Sequence, residues 1–508
     1  MALGALIAPP AIAGNTDAAN SAKIVGRDHI EVAARVVVTA DPELVPAFDP
    51  DIQDYVVRCA ATGAVTLKLN APARATLSVG GAKLPPGTVT WTAPLRPGQR
   101  VTWSIRRSGL ESIYSARCLP ADFPTFTAEV AGRTQAEWFI TAPSLYSPAP
   151  YVIVFDEQGT PVWWMRDPDG LPIDAKLMGG TTLAWTTIGA GTYTFRRLDG
   201  RTCLVLGGTL DNHDIQRTPS GSYLAIRYTS RNCPAVPADC LDETPWGGPA
   251  VNNPIDAQII ELDTANREIW SWSTQGHVDP SESSSWFPFL VGGDAVHMNS
   301  VQPDGRDGLL FTARHLDALY HLTKSTGTID WKLGGTPTVN SLRVVGDIGP
   351  GPLFSGLHDG RILPDGTVTV HDNRSLTGLP PRALRFRIDT RDHTAVLVEK
   401  VIDSRISGSG CCGSARRLSG GNWVAAWGLN SMVTELTPAG APVLTLTFDP
   451  GTFTYRAVPV ERGVLDRQAL VKGMDTMSRY AGLIGLVEPR PIECQLKPGW
   501  WFHNERDR

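Results

Sequence analysis

Several features that mark common protein classes are missing from this sequence of 508 residues. Basic residues number 46 against 51 acidic ones and form no Lys/Arg-rich run, so we expect no binding of nucleic acid. After the N-terminus no apolar run reaches the roughly 18 residues that a transmembrane helix needs, so we expect no membrane span. A sustained 3.6-residue hydrophobic repeat is also absent, which argues against a mainly helical fold.

The eight cysteines include no Cys-x-x-Cys pair, the spacing of many zinc and redox motifs. An even number of cysteines without that motif favours disulfides formed in an oxidising compartment. Cys59 with Cys118 and Cys233 with Cys240 are candidate pairs, whereas the adjacent residues 411 and 412 either join each other or point apart. A set of buried free thiols is the alternative.

Residues 1–23 resemble the start of an exported protein. Residues 2–13 are apolar and end in Ala11-Ile12-Ala13, as a signal-peptide cleavage site does, although no basic residue precedes Lys23. Together with the cysteines, this segment predicts export to the cell surface, the periplasm or the medium. A flexible apolar tail is the alternative.

Glycine (50), proline (40) and tryptophan (15) are abundant, as in proteins with many short strands and tight turns. Alternating runs in residues 24–122 predict a small β-sandwich of the immunoglobulin or cadherin type, serving packing, spacing or dimer contact. From residue 123 a different pattern repeats, in which a turn glycine precedes an apolar strand and a further strand finishes each unit. Six finishing strands predict an all-β fold with a six-bladed β-propeller over residues 123–480 and a tail, 481–508, packed on it. The finishing strands are residues 161–165, 203–207, 268–272, 328–332, 394–398 and 442–446.

Three histidines occupy the same place in three successive repeats. His213, His297 and His358 each lie eight residues before a turn glycine, at positions 221, 305 and 366. Equivalent positions of a propeller converge on its axis, so we expect these imidazoles to lie close together. Arg227 and Arg314 belong to a second row, six residues after a turn glycine. We expect both arginines at the mouth of the same channel.

Two guanidinium groups and several imidazole donors suit a tetrahedral oxyanion such as a sulfate or phosphate ester. Asn299, two residues after His297, points the same way along the strand and adds an amide donor. Three histidines also suit Zn²⁺ or Cu²⁺, but neighbouring arginines repel a cation, so we expect no metal. Another alternative is that the histidines only bond the backbone of a closed channel. The histidines outside the register, expected to be structural or on the surface, are His277, His315, His321, His371 and His393.

Two long insertions interrupt the repeats, at residues 229–255 and 276–296. Long ordered loops on a rigid scaffold commonly form the walls of a site. The second insertion carries Trp286, Phe287 and Phe289, which we expect to offer an apolar wall to a substrate ring. The alternative is that these rings only fix the loop to the propeller.

Several short motifs occur in order along the chain: Asn212–Gln216, His297–Ser300, Trp331–Gly335, Leu357–Gly360, His371–Asn373 and Gly413–Leu418. They resemble motifs of the bacterial arylsulfate sulfotransferases. The resemblance extends over residues 125–460, with the motifs in order and at propeller spacing. It implies a six-bladed propeller whose central site moves a sulfuryl group from an aryl sulfate donor to a phenolic acceptor, without a nucleotide sulfate donor or another cofactor.

Residue by residue, the resemblance implies that His358 is the nucleophile that becomes sulfated. It implies that His213 and His297 lie beside the sulfuryl group, with Asn299 as the amide partner and Arg314 as the guanidinium. Transfer through a sulfohistidine is two-step and ping-pong.

The segment at residues 409–413 departs from the pattern, because the family's hydroxyl contact in the sixth blade has no clear match there. The alternatives are an aryl sulfate hydrolase on the same scaffold and a non-catalytic propeller that binds an anionic ligand or partner. We expect small-molecule partners and leave homodimerisation open.

Overall fold

The computed structural model describes residues 36–72, 75–107, 109–144, 149–231, 253–289 and 293–480, together with Cys494 and Leu496. The chain forms two compact units, residues 1–121 and residues 122–508. The signal-like segment 1–23, both cysteines of the candidate pair at 233 and 240, and most of the tail 481–508 lie outside the described residues. In the described part of the chain, no helix has the length and apolar character to cross a membrane.

Unit 1 is a β-sandwich, as the sequence predicted. Its described strands are β1 (Val37–Asp41), β2 (Asp54–Val57), β3 (Ala64–Ala71), β4 (Thr76–Val79), β5 (Ala82–Leu84), β6 (Gly87–Pro94), β7 (Arg100–Arg107) and β8 (Leu110–Cys118). One sheet has the order β1-β3-β6 and the other β2-β8-β7-β4-β5, and both contribute to one apolar core. The stacked rings of Tyr55, Trp103 and Tyr114 lie in this core. A disulfide joins Cys59 to Cys118, one of the candidate pairs.

Unit 2 is an all-β propeller with six sheets in its described residues, which confirms the predicted fold class. The strands of the first three blades, preceded by β9 (Phe126–Val130), are β10 (Ala136–Ser144), β11 (Tyr151–Asp156), β12 (Pro161–Arg166), β13 (Pro172–Gly179), β14 (Thr182–Thr187), β15 (Thr192–Arg197), β16 (Thr202–Gly207), β17 (Ile215–Arg217), β18 (Tyr223–Ser230), β19 (Ile255–Leu262) and β20 (Glu268–Ser273).

The last three blades and the closing elements follow in the chain. They are β21 (Met298–Asp304), β22 (Gly308–Ala313), β23 (Ala318–Thr323), β24 (Thr328–Gly334), β25 (Arg343–Val345), β26 (His358–Ile362), β27 (Thr367–Asp372), β28 (Arg382–Asp389), β29 (Thr394–Val401), β30 (Ser414–Arg417), β31 (Trp423–Ala426), β32 (Met432–Leu436), β33 (Pro442–Phe448), β34 (Phe453–Glu461) and the helix α1 (Arg467–Tyr480).

Each blade runs from an inner strand near the axis to an outer strand. Every finishing strand that the sequence predicted lies toward the outside of its blade, in β12, β16, β20, β24, β29 or β33. Apolar residues of neighbouring blades pack against each other, for example Leu310 and Leu333 of the fourth blade against Val368 and Leu384 of the fifth. Burial of apolar side chains between neighbouring sheets therefore holds the ring together.

Strands from both ends of unit 2 close the ring. β34 pairs with β10 and becomes the innermost strand of the first blade, whereas β9 pairs with β33 at the outside of the last blade. The repeat pattern of the sequence did not predict β34 as an inner strand. Its position matters because it brings Tyr455 and Arg456 to the axis, next to the histidines in register.

Candidate active site

The three histidines in register begin the inner strands of three successive blades. His213 precedes β17, His297 precedes β21 and His358 is the first residue of β26. The imidazole centroids of His213 and His297 are 4.9 Å apart. The ring of Tyr455 lies 5.7 Å from that of His213 and 6.4 Å from that of His358. The repeat thus brings the three histidines into one cluster, with the tyrosine of β34 between two of them.

His358 is 1% exposed and its hydrogen bonds define its tautomer. Its Nδ1 lies 2.7 Å from Asn373 Oδ1 and 3.0 Å from Gly356 O, and both oxygens are acceptors. Asn373 Nδ2 donates to Ser409 Oγ and to Cys412 O, each at 2.7 Å, which fixes the orientation of the amide. Nδ1 therefore carries the proton and Nε2 keeps its lone pair.

The charge environment keeps His358 neutral. Burial lowers the pKa of His358 well below its usual range, and the charge of Arg314 and the neighbouring histidines lower it further. A neutral imidazole whose Nε2 lone pair is not used by a hydrogen bond to the protein is a nucleophile near neutral pH.

Each of the other two histidines is paired with a carboxylate. His213 Nδ1 lies 2.5 Å from Asp211 Oδ1, and His297 Nδ1 lies 2.5 Å from Asp294 Oδ2. Burial acts to raise the pKa of Asp211, but His213 outweighs it and the pKa of this carboxyl is lowered. Burial lowers the pKa of His297, although Asp294 acts in the opposite direction. Both pairs orient an imidazole and can support proton transfer at its Nε2.

The guanidinium of Arg314 is held from three sides. Its Nη1 lies 2.8 Å from His315 Nε2, its Nη2 donates to Gly410 O at 3.2 Å, and its central carbon lies 4.2 Å from the ring centre of Trp286. His315 Nδ1 donates to Asp294 O at 2.5 Å, so Nε2 is the acceptor for the arginine. Burial lowers the pKa of Arg314 to about 10 and that of His315 to about 3. At neutral pH the arginine is charged and the histidine neutral.

Two histidines outside the register belong to the cluster, and the expectation that they are structural or on the surface is corrected here. The His315 ring centroid lies 4.6 Å from that of His297. A 3₁₀ turn, Arg314–Leu316, follows β22, so the alternation of a strand stops and both neighbouring side chains reach the site. His371 pairs with His358 across the β26–β27 ladder and is fully buried, which lowers its pKa to about 4. Cross-strand pairing with His358 is the signal that identifies His371.

Arg227 does not reach the cluster. Its Nε donates to Gln258 Oε1 at 2.9 Å and its Nη1 to Glu268 Oε2 at 3.0 Å, both on other strands of its own blade. Side chains alternate along β18, so the next residue, Tyr228, faces the histidines instead. The hydroxyl of Tyr228 donates to Met298 O at 2.6 Å and lies 3.5 Å from His213 Nδ1. The expectation that Arg227 frames the pocket is therefore corrected.

Asn299 lies in the cluster, but with a different polarity from the expected one. The side chain is fully buried on β21, and its Nδ2 donates to Leu357 O at 2.8 Å. Its Oδ1 has no hydrogen-bond partner in the part of the chain that the structure describes. The amide therefore presents an acceptor, where the sequence analysis expected a donor.

The aromatic insertion reaches the site through Trp286. This residue lies in a 3₁₀ segment, Pro280–Phe289, and is 2% exposed. Its Nε1 donates to Asp317 Oδ2 at 3.0 Å, while Arg314 stacks over its ring. The side chains of Phe287 and Phe289, and residues 232–252 of the first insertion, lie outside the described residues. Trp286 thus supports an arginine of the site and has little free surface for a substrate ring.

Buried charges on the inner strands lie directly against the histidines. Arg456 of β34 donates to His213 O at 2.8 Å and to Asn299 O at 2.7 Å. Two of the aspartates, Asp214 and Asp359, directly follow histidines of the register. Buried charge pairs with several partners fix geometry more surely than they add stability. The side chains that share these ion pairs are Asp174, Lys176, Asp214, Asp359, Arg361, Arg416 and Arg456.

Asp294, His297 and His315 are near enough to each other to hold a metal ion, with one ligand atom from each within 4.8 Å of the others. Arg314 Nη1 already occupies the side of His315 Nε2, at 2.8 Å. His297 Nδ1 is hydrogen-bonded to the side chain of Asp294, and His315 Nδ1 is hydrogen-bonded to its backbone carbonyl. A permanent cation at this position disfavours a metal ion, so the donor set fits a hydrogen-bonded network better than a metal centre.

The fold and the cluster together define a β-propeller with a histidine- and arginine-rich site at its axis. The family model of the arylsulfotransferases (ASST) matches residues 200–449, a range that includes the three histidines in register, Asn299 and Arg314. The matched range is just under half of the chain and shows what this part of the propeller is similar to. No curated protein matches the chain.

Three solved structures are similar to this chain at low sequence identity. A protein of unknown function from Bacteroides caccae is 9% identical, with 64% of this chain and 99% of that chain covered and a TM-score of 0.41. The β-propeller domain of Cps50 (Swd1) from Myceliophteria thermophila is 11% identical, with 66% and 97% covered and a TM-score of 0.36. Virginiamycin B lyase from Staphylococcus aureus is 10% identical, with 64% and 89% covered and a TM-score of 0.33. Similarities of this size carry no argument about function.

Proposed function

We propose that this protein transfers a sulfuryl group from an aryl sulfate ester to a phenol through a sulfohistidine on His358. The match of residues 200–449 to the arylsulfotransferase family model supports aryl sulfotransferase activity in general. The observation that carries the finer proposal is the state of His358, which is buried, neutral and protonated on Nδ1, with Arg314 nearby. This combination supplies a nucleophile and a positive charge for an anionic substrate.

In the first half-reaction, His358 Nε2 attacks the sulfur of the aryl sulfate. The S–N bond forms while the bond from sulfur to the aryl oxygen breaks, and the phenolate leaves with the electron pair. His213, whose Nδ1 lies 2.5 Å from Asp211 Oδ1, acts as the general acid and gives the phenolate its proton. Arg314 neutralises charge on the oxygens of the transferring group, as in phosphoryl transfer.

In the second half-reaction, the hydroxyl oxygen of a phenol attacks the sulfur of the sulfohistidine. His213 takes the proton of the hydroxyl, the S–N bond breaks, and its electron pair returns to His358 Nε2. The free Oδ1 of Asn299 is suited to accept the hydrogen bond of the entering phenol. The sum is the exchange of an aryl sulfate and a phenol for a new aryl sulfate and a new phenol.

The test follows p-nitrophenol release from p-nitrophenyl sulfate, with and without an added phenol, in the wild type, His358→Ala and His277→Gln. His277 is an exposed histidine that contacts Ser273 O and serves as the matched control. We expect His358→Ala to lose at least about a thousandfold in kcat/KM while its melting profile stays native, because the covalent nucleophile is gone. The His277→Gln control should keep wild-type activity. A chelator should change the activity of neither the wild type nor this control.

Three results would contradict the proposal. An active, folded His358→Ala protein would refute the nucleophile. Release that does not depend on the phenol would indicate a hydrolase, and absence of release would favour a propeller that only binds anions. Mass spectrometry of the wild type, quenched without acid before phenol is added, should show one added SO₃ group on a peptide that contains His358.

We also propose that the protein is exported. The bridges Cys59–Cys118 and Cys203–Cys494 support this proposal, because structural disulfides persist in oxidising compartments. Mass spectrometry of protein from its own cells, alkylated before extraction, should find these cysteines oxidised. A cytoplasmic pool with the cysteines reduced would contradict export.

A further inference from the structure

Residues 409–413, which precede β30, border the site with backbone and hydroxyl groups. Gly410 O accepts a hydrogen bond from Arg314 Nη2 at 3.2 Å. Ser409 Oγ and Cys412 O each accept one from Asn373 Nδ2 at 2.7 Å. This short segment, called here the sixth-blade segment, therefore sets the position of the arginine and of the amide that orients His358.

A disulfide between Cys411 and Cys412 lies in the middle of the sixth-blade segment. It links neighbouring residues, so it closes a small ring that contains the peptide bond between them and restricts the backbone on both sides. Cys412 has a φ of 72°, in the left-handed region that residues with a β-carbon rarely adopt. The disulfide therefore constrains a backbone conformation from which the Cys412 carbonyl reaches Asn373.

The surroundings leave this backbone little alternative while the disulfide is intact. Cys412 packs against Ile173, Phe453 and Tyr455. At Gly413, with a φ of 103°, an added β-carbon would lie 2.9 Å from His371 Nε2. The segment thus passes close to two rings of the site, and a change in its backbone is transmitted to groups near His358.

We propose that the Cys411–Cys412 disulfide is a redox-controlled positioning element of the sulfuryl-transfer site, an inference that rests on the proposed function. Oxidised, it holds the carbonyls of Gly410 and Cys412 against Arg314 and Asn373. A dithiol reductant breaks it: one thiolate attacks a sulfur, the second thiol resolves the mixed disulfide, and two protein thiols and a cyclic disulfide result. Both cysteines are half-buried, so a small dithiol has access to the bond.

Reduction should lower kcat more than it raises KM, because Arg314 and Asn373 act on the reacting groups. A displacement of catalytic groups by about 1 Å costs on the order of a hundredfold in rate, and we expect a loss of about tenfold to a hundredfold. The loss should be reversed by reoxidation, with the melting profile unchanged.

The test compares the full-length wild type with C411S/C412S and with C203S/C494S, a control that lacks a different disulfide of unit 2. Each protein is assayed with p-nitrophenyl sulfate and a saturating phenol, before and after dithiothreitol and again after oxidation by diamide. We expect C411S/C412S to have the reduced kcat from the start and no response to dithiothreitol. The wild type and C203S/C494S should both fall to that kcat and recover.

Alkylation and mass spectrometry report which cysteines are reduced, so reduced wild type tests the inference even where C411S/C412S does not fold. Wild-type kcat in C411S/C412S, or in wild type with both cysteines shown to be reduced, would overturn the inference. The inference would also be overturned if dithiothreitol lowered kcat equally in C411S/C412S and in the wild type. If oxidised wild type transfers no sulfuryl group, the proposed function itself fails, which is a different outcome.

Discussion

Asn373 is the side chain that, together with the Gly356 carbonyl, fixes which nitrogen of His358 carries the proton. Its Oδ1 accepts a hydrogen bond from His358 Nδ1 at 2.7 Å, and its Nδ2 donates one to Cys412 O. A neutral acceptor orients the imidazole without stabilising its protonated form, whereas a carboxylate at the same place would do both. The asparagine therefore fits the role proposed for His358, that of a nucleophile that must stay neutral until it attacks.

This view predicts the pH dependence of Asn373→Asp. The wild-type pKa of His358 is lowered, so this histidine stays neutral between pH 8 and about 6.5. We therefore expect kcat/KM of the wild type to show no loss from protonation of His358 over that range. A carboxylate beside Nδ1 should raise this pKa, so the acid limb of kcat/KM should lie at a higher pH in Asn373→Asp than in the wild type. The rate also falls, because a carboxylate cannot donate to Cys412 O, so the position of the limb is the measurement.

Asn340→Asp is the matched control for this prediction. Asn340 is a half-buried asparagine whose Nδ2 donates to Ile329 O, at 2.7 Å, in the fourth blade. The control should keep the wild-type pH profile. A wild-type profile in Asn373→Asp as well would show that Asn373 does not act on the nucleophile.

At the residue scale, the sequence predicted those site positions that follow the repeat. His213, His297 and His358 share a register, and register is set by the blade, so their meeting was predictable. His315 follows Arg314 in a 3₁₀ turn after β22, where the period of the strand no longer applies. Tyr228 was missed by one position, because the choice between it and the preceding arginine depends on which face of β18 turns to the axis.

At the scale of elements, two short turns form the support for Arg314. The 3₁₀ turn Arg314–Leu316 carries the arginine, and the 3₁₀ segment Pro280–Phe289 places Trp286 under its guanidinium. Asp317 follows the first turn and accepts hydrogen bonds from Trp286 Nε1 and from Gly356 N, which precedes His358 by two residues. Burial raises the pKa of Asp317 to about 6. The insertion is therefore joined to the site by stacking and by one shared carboxylate.

We accordingly expect Trp286→Ala to act through Arg314. Loss of the stacked ring frees the guanidinium, so kcat should fall about tenfold to a hundredfold for small and bulky aryl sulfates alike. A substrate wall would behave differently, with KM rising most for bulky phenols. Kinetic constants for a series of aryl sulfates measure the difference.

Trp270→Ala is the control, because Trp270 also stacks under a cation, with Lys324 Nζ 5.1 Å from its ring centre, but lies on β20. This variant should keep wild-type constants. If the KM of Trp286→Ala rose for bulky substrates only, Trp286 would instead be interpreted as part of the substrate wall.

The sequence predicted the elements that repeat and missed those that close the ring. The six finishing strands share an alternating pattern after a turn, and the structure has all of them. β34 completes the first blade from the far end of the chain, so no local spacing relates it to the first blade's other strands. Tyr455 and Arg456 could not be assigned to the axis for the same reason, since that assignment needs the long-range pairing.

At the scale of the whole molecule, the propeller contains a cluster of buried histidines whose pKa values are lowered by burial. Burial lowers the pKa of His315 to about 3, that of His371 to about 4 and that of His358 well below its usual range. All three imidazoles are neutral in the folded protein and become protonated near pH 6.5 when the chain unfolds. The burial that keeps His358 neutral therefore makes the propeller sensitive to acid.

Below about pH 6.5 the unfolded chain binds protons that the folded chain does not, so the free energy of unfolding must fall as the pH falls. Each of the three histidines contributes a slope of up to about 1.4 kcal/mol per pH unit until its own folded pKa is reached. Asp317 acts in the opposite direction between its raised pKa of about 6 and the unfolded value, and offsets about one of them. We expect a net slope of about 3 kcal/mol per pH unit between pH 6 and pH 4 from these four groups.

His371→Gln should reduce this slope by about 1.4 kcal/mol per pH unit, because it removes one group that titrates only in the unfolded chain. Urea unfolding at pH 7, 6 and 5, followed by tryptophan fluorescence, measures the slope. The exposed His277→Gln control should leave it unchanged, whatever the absolute stability of either variant. An equal slope in His371→Gln and wild type would mean that His371 is protonated in the folded protein, and the neutral cluster around His358 would have to be revised with it.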